Sequence, residues 1–358
     1  MSSFDRAVSA GRAPVPRTSL VPSLLLVLAL ASFAAGPPAL AQAPLVVRTA
    51  TLVPDGSSWY LILKELGEKW KAASGGRVTV RLFPGGVAGD DPDVVRKMRL
   101  GTLNAGVLTS VGVAEIDKSV YALGVPLMYD SNEEVYYVLE KMRPRLEASI
   151  AAKGFVVLNW ADVGWVHFFT QKPVALPDDL RALKLFTWAG DADSVSVWRS
   201  AGFNPVPLPS TEIATALQTG LVNAISTPPQ VAVISQFFNN AKNMTDLRWQ
   251  VLLGATLITR STWDKIPADV RPVLLEASRE AGQRLQREVK DAEQKDVDAM
   301  KKRGLNVVAV NARQRAEWQK LTEKLYPSIR GPIVPADAFD EALRYRDEYR
   351  RQHGAAAK

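Results

Sequence analysis

The 358-residue chain has no cysteine and only two histidines, His167 and His353. A disulfide scaffold is therefore excluded, and so is any zinc site built from several His or Cys ligands. The strings G-x-S-x-G, H-E-x-x-H and G-x-x-x-x-G-K are missing, which removes the usual markers of a nucleophile elbow, a zinc protease and a phosphate loop. Gly85-Gly86-x-x-Gly89 lacks the lysine of a phosphate loop and reads as a turn followed by a helix cap. His167 stands in the aromatic run Trp165 to Phe169 without a nearby acid, as a hydrogen-bonded strand residue does, and His353 lies in a charged tail. No long run of one charge is present. The net charge is +7, of which residues 1–41 supply +2, so nucleic acid is not an expected partner.

Apolar residues make up 47% of the chain, enough for a sizeable core, and the length suggests two domains. Only one apolar run has the form of a targeting signal. Arg6, Arg12 and Arg17 precede Leu24 to Ala35, then Gly36-Pro37-Pro38 and the small-x-small site Ala39-Leu40-Ala41. This order describes a secretory signal peptide cut after Ala41, and the run is shorter than the ~20 residues of a membrane span. With no twin arginine and no following cysteine, the expectation is a free periplasmic protein exported by the general route.

Past Leu45 the pattern alternates strands and helices, the mark of an α/β protein. Strand-like runs cover Leu45–Thr51, Val78–Phe83, Phe155–Trp160, Val166–Thr170, Leu183–Trp188 and Val222–Ser226. Gly101 to Leu108 reads as a turn and then a strand, and a helix is expected from Thr211 to Gly220. Between Asp269 and Lys302, apolar residues recur every three to four positions. A helix of that span is ~50 Å long, more than one small domain's diameter, so it should lie across both domains. Four of the nine tryptophans fall between residues 160 and 198, and alternation puts Phe186 and Trp188 on one strand face. Such a pair is either core or the wall of an apolar ligand cleft.

Several stretches in order resemble the solute-binding subunits of tripartite ATP-independent periplasmic (TRAP) transporters, the DctP family. They are Val53-Pro54-Asp55-Gly56-Ser57-Ser58-Trp59, Phe83-Pro84-Gly85-Gly86, Leu100-Gly101-Thr102-Leu103-Asn104 and Leu123-Gly124-Val125-Pro126-Leu127-Met128-Tyr129. Further on come Lys172-Pro173 with Pro177-x-Asp179-Leu180, Ala216-Leu217-Gln218-Thr219-Gly220-Leu221-Val222-Asn223-Ala224, and Ser261-Thr262-Trp263-Asp264-Lys265-Ile266-Pro267. The likeness spans about residues 45–340. It implies a two-lobed periplasmic binding-protein fold with hinge strands and a long helix spanning both lobes. Lobe I would hold residues 42–163 and 252–291, lobe II residues 164–251 and 292–345, and residues 346–358 a charged, disordered tail. It also implies a receptor, not an enzyme, that delivers a small organic ligand to membrane permease subunits with no cofactor or metal. Alternatives are a carboxylate-dependent periplasmic enzyme, or the receptor of an ATP-driven importer or a sensor.

The family's ligand chemistry does not carry over intact. Its carboxylate-clamping arginine is replaced by Phe186, its second basic position by Val166, and the acid of its "vDGxE" segment by Ser226. A buried carboxylate without a partner is costly, so the ligand is expected to have an apolar or aromatic body. Trp59, Trp165, Phe186 and Trp188 would enclose that body, and Asp55, Thr109, Ser226, Thr227 and Gln230 would supply neutral or turn contacts. Alternatively, a carboxylate is held elsewhere, by backbone N–H groups or by an arginine such as Arg199.

Overall fold

β-Branched and aromatic runs bounded by glycine or proline turns form ten strands in the computed structural model, which describes residues 43–354. The expected signal peptide and its cleavage point lie outside those residues. The strands are β1 (Leu45–Thr51), β2 (Val78–Phe83), β3 (Ala105–Thr109), β4 (Phe155–Thr170), β5 (Lys184–Trp188), β6 (Asn204–Leu208), β7 (Ala224–Thr227), β8 (Asn243–Thr245), β9 (Gln250–Thr259) and β10 (Asn306–Val308). Their order is β2-β1-β3-β9-β4-β7-β5-β6, with β8 pairing β4 and β10.

This sheet has two halves, each largely parallel. β1 pairs β2 and β3 in parallel, and β5 pairs β6 and β7 in parallel. The halves are stitched by the antiparallel ribbon β4/β9. β4 pairs β9 from Phe155 to Val166 and then β7 from His167 to Thr170. The two runs expected as separate strands are thus one 16-residue strand that crosses from one half to the other. The register shifts between Asp162 and Gly164, where Gly164 takes a φ of +118°; this irregularity breaks the sequence pattern but not the strand.

The long helix runs Arg271–Lys302, 32 residues or ~48 Å, and spans both halves as its length requires. Leu274 and Leu285 pack with Val47 and Trp70 of the first half. Val297 and Met300 pack with Phe169 and Phe186 of the second. Trp70 fixes its N-terminal part by donating from Nε1 to the Leu274 carbonyl and the Ser278 hydroxyl, both at 3.1 Å. At Gly282 the helix comes so near β4 that an added Cβ would sit 2.8 Å from Asn159 Cβ.

The tail expected to be disordered from residue 346 is instead helical through His353, in the helix Ala336–His353. Tertiary contacts override its charge. Arg350 reaches the buried Glu134, and the Tyr349 ring lies 5.4 Å from that of Tyr137.

A candidate ligand cleft between the sheet halves

Parallel strands place their carboxyl ends on one edge, where ligands of open α/β sheets bind. Here β1, β3, β5 and β7 end at Thr51, Thr109, Trp188 and Thr227, and all four residues border a single cavity of about 380 Å³. The crossing strands contribute Asn159 and Ala161 from β4 and Gly254 and Thr256 from β9. Trp59 and Leu63 of the helix Ser58–Ala73 and Leu285 of the long helix complete the apolar wall. The volume is within the ~300–1,000 Å³ range of small-molecule sites.

β5 is held beside β7 by Asn223, whose Oδ1 accepts the Lys184 N–H at 2.7 Å. That pairing presents Phe186 and Trp188 together, with ring centroids 5.3 Å apart and planes at 64°. Phe186 packs below on the second-half core with Ile213 and Phe237. A second cavity of about 150 Å³ lies beyond this ring pair and shares Phe186, Trp188, Ser226 and Leu252 with the first.

The polar groups of the wall are mostly neutral. Thr109 donates its N–H and hydroxyl to Asp91 Oδ2 at 2.8 and 2.7 Å. Thr256 donates to Asn159 Oδ1 at 3.1 Å, while Asn159 Nδ2 and Trp59 Nε1 have no partner. Asp162 is the one charged residue among the described lining residues of the larger cavity, and Asp191 the one in the smaller. Burial pushes the Asp162 carboxyl up to about 6, the Tyr136 hydroxyl opposes that shift, and the charge of Glu293 adds to it. Neither cavity has a lysine or arginine among its described lining residues. No described set of His, Asp and Glu side chains gathers as a metal cluster would.

Six of the nine residues expected from sequence border the larger cavity: Trp59, Thr109, Phe186, Trp188, Ser226 and Thr227. Three do not. Asp55 is exposed in the turn before the first helix, although its neighbour Pro54 reaches the wall. Gln230 is buried outside the wall with Oε1 unpartnered. Trp165 is core: its Nε1 donates to Asn132 and the Arg248 guanidinium lies 5.5 Å from its ring. Val166, expected in the cleft, is likewise core, its carbonyl accepting the Trp249 N–H at 2.9 Å. By this point β4 has entered the second half, where both of its faces are covered. The long helix reaches one face through Glu293, 3.9 Å from His167 Nε2, and Trp249 and Trp318 pack on Phe168 of the other. Arg199 is exposed and borders neither cavity, so it clamps nothing in this arrangement.

Asn159, Asp162, Ser210 and Thr256 also border the larger cavity and are not among the residues expected from sequence. A lone polar residue in the run Phe155–Trp160 marked Asn159; the rest gave no local signal.

The model of bacterial extracellular solute-binding protein family 7, DctP, matches residues 49–330. The C4-dicarboxylate-binding periplasmic protein DctP of Rhodobacter capsulatus is 27% identical over 306 residues, covering 83% of this chain and 90% of its own. The 2,3-diketo-L-gulonate-binding periplasmic protein YiaO of Escherichia coli is 26% identical over 255 residues, 70% of this chain and 77% of its own. The sugar acid binding protein DctPAm of Advenella mimigardefordensis, solved with galactonate, superposes with a TM-score of 0.80 at 18% identity, covering 85% of this chain and 98% of its own. The sheet halves, the crossing ribbon and the bridging helix are therefore the two-lobed fold of the periplasmic solute-binding proteins. The chain belongs to the DctP family and is a solute receptor of the TRAP type.

Proposed function

We propose that this receptor captures an uncharged small organic molecule with a largely apolar body and passes it, unaltered, to membrane permease subunits. The observation that carries the reading is Phe186, which stands on the cleft wall at the position of the family's arginine, in a lining without a basic side chain. A carboxylate brought here would lose water and meet no cation, at a cost of several kcal/mol. An apolar body loses nothing by the same transfer. Covering ~200 Å² of it contributes roughly 5 kcal/mol, a large share of the ~8 kcal/mol of a micromolar complex. The relatives named above bind acids; this cleft is built for a different ligand chemistry.

The signal-like N-terminus supports export, with Gln42 as the first residue of the mature protein. We take residues 42–163 with 252–291, and 164–251 with 292–345, as the lobes that close on the ligand, with β4 and β9 as hinge strands. The test is native mass spectrometry of the purified protein, identification of any co-purifying molecule, and calorimetry. An uncharged ligand recovered intact supports the reading. Micromolar binding of succinate, galactonate or a sialic-acid-like sugar would overturn the ligand class, and turnover of the bound compound would overturn the receptor role.

A further inference from the structure

Asp90 precedes the helix Asp91–Arg99 in the first half of the molecule and is its N-cap, Oδ1 accepting the Asp91 N–H at 2.9 Å. The same carboxylate also reaches across the cleft. Its Oδ2 accepts the Ser210 N–H at 2.5 Å, and its Oδ1 accepts the Ser210 hydroxyl at 2.8 Å and the Trp188 Nε1–H at 3.4 Å. Both partners belong to the second half, Trp188 ending β5 and Ser210 following β6, and both border the larger cavity. Asp90 is 6% exposed and forms no ion pair among the described residues. A buried carboxylate without a cation is tolerable only when hydrogen-bond donors surround it. Three of its four donors come from across the cleft and are present only while the halves are together.

The loop leading to Asp90 reinforces the contact. Gly86, at φ +74°, lies so near Thr211 that an added Cβ would stand 2.6 Å from its Cγ2. Two further contacts across the cleft are more exposed. Tyr121 donates to Asp191 at 3.2 Å, and Lys118 pairs with Asp193 where the side chains keep 51% and 44% of their exposure. Water and salt weaken such a pair far more than the Asp90 bonds.

We propose that Asp90 is a positioning residue that latches the two halves over the cleft. By fixing Trp188 and Ser210, it also sets the wall that the ligand meets. This inference goes beyond the ligand class proposed above, and it can be tested with no ligand added.

The absence of cysteine makes the experiment clean. Leu100→Cys and Arg199→Cys place spin labels on exposed sites of opposite halves, and dipolar spectroscopy reads the distance between them. Asp90→Ser keeps a capping oxygen for the helix but is too short to reach Ser210. Ser210→Ala removes one of the three cross-cleft donors. The short-distance population, relative to the long one, should fall about tenfold in Asp90→Ser and by a smaller factor in Ser210→Ala. The double variant should fall no further than Asp90→Ser alone, because the two residues share one interaction. Circular dichroism and the melting temperature separate this change from unfolding. If Asp90→Ser does not fold, the shift in Ser210→Ala decides. An unchanged distribution, additive losses, or a parent protein found only at the long distance would each overturn the latch. Succinate binding by calorimetry would overturn the ligand class and leave the latch standing.

Discussion

Phe186 and Trp188 meet edge to face at 5.3 Å on one side of β5, bordering the larger cavity. An edge-to-face pair contributes ~0.5–1.5 kcal/mol beyond its buried area, so the two rings stiffen an uncharged part of the wall. If Phe186 stands in for the arginine that the resemblance places here, putting the cation back should admit an acid. Phe186→Arg is expected to create succinate or galactonate binding at least tenfold above the parent protein, by isothermal calorimetry. Equal failure of both proteins would show that the wall is not where the charge was exchanged.

Phe186→Ala and Trp188→Ala test the apolar contact itself. Each should weaken binding of the co-purifying molecule by ~2 kcal/mol or more, since each strips one aromatic face from the ligand's surroundings. Added salt should matter little, because no full charge pair forms with the ligand. Titrations at two ionic strengths check both statements.

Asp91 is fully buried behind the cleft wall, and burial pushes its carboxyl up to about 7 despite the hydrogen bonds from Thr109; the neighbouring Asp90 adds to the shift. The folded-state value is above the unfolded one. This group's contribution to stability is therefore complete below pH ~4 and is lost as the pH rises through ~7. Asp91→Asn retains an acceptor for Thr109 and cannot ionise. It should raise stability by roughly 2–4 kcal/mol at pH 8 and change it little at pH 4.5. Urea midpoints at the two pH values decide the matter; equal differences at both would reject the assignment.

Gly282 lies within the long helix, where alanine is ordinarily better than glycine by ~1 kcal/mol. Here the opposite sign is expected. The new methyl would stand 2.8 Å from Asn159 Cβ and 2.9 Å from the Trp160 carbonyl, so helix and hinge strand must part. Gly282→Ala should cost ~1–3 kcal/mol and lower the melting temperature by a few degrees. A rise in melting temperature would mean that the helix does not pack this closely.

What could be read in the sequence was local. β1 and β2 have the expected bounds, and the long helix starts within two residues of its expected Asp269, because alternation, caps and glycines act over a few residues. Phe186 and Trp188 were placed on one face by alternation alone. The failures are non-local. Nothing near Trp165 or Val166 says that β4 is covered on both faces there, since the covering residues Trp249, Trp318 and Glu293 are more than 80 positions away. Asn159 meets Thr256 across 97 positions and Asp90 meets Ser210 across 120, pairings that only the folded sheet brings together.

The ordered C-terminus is a failure of the same kind. Residues 346–353 are charged, but Arg350 donates from Nε to Glu134 Oε1 at 2.5 Å and from Nη2 to Asp130 at 2.8 Å. Glu134 is 2% exposed and also accepts the Asp130 N–H at 2.7 Å. Truncating Arg350 would leave a buried carboxylate short of its cation, which is more costly than never having had the pair. Arg350 itself is partly exposed, so water could enter and reduce the loss. Arg350→Ala should therefore destabilise by about 1–3 kcal/mol, while the exposed Arg351→Ala should fall within ~0.5 kcal/mol of the parent protein. Adding Glu134→Gln to Arg350→Ala should recover part of the stability, because the second change removes the stranded charge. Denaturant midpoints for the parent, the two single variants and the double variant decide the matter. Equal effects at residues 350 and 351, or no recovery in the double variant, would show that the tail is held by something other than this pair.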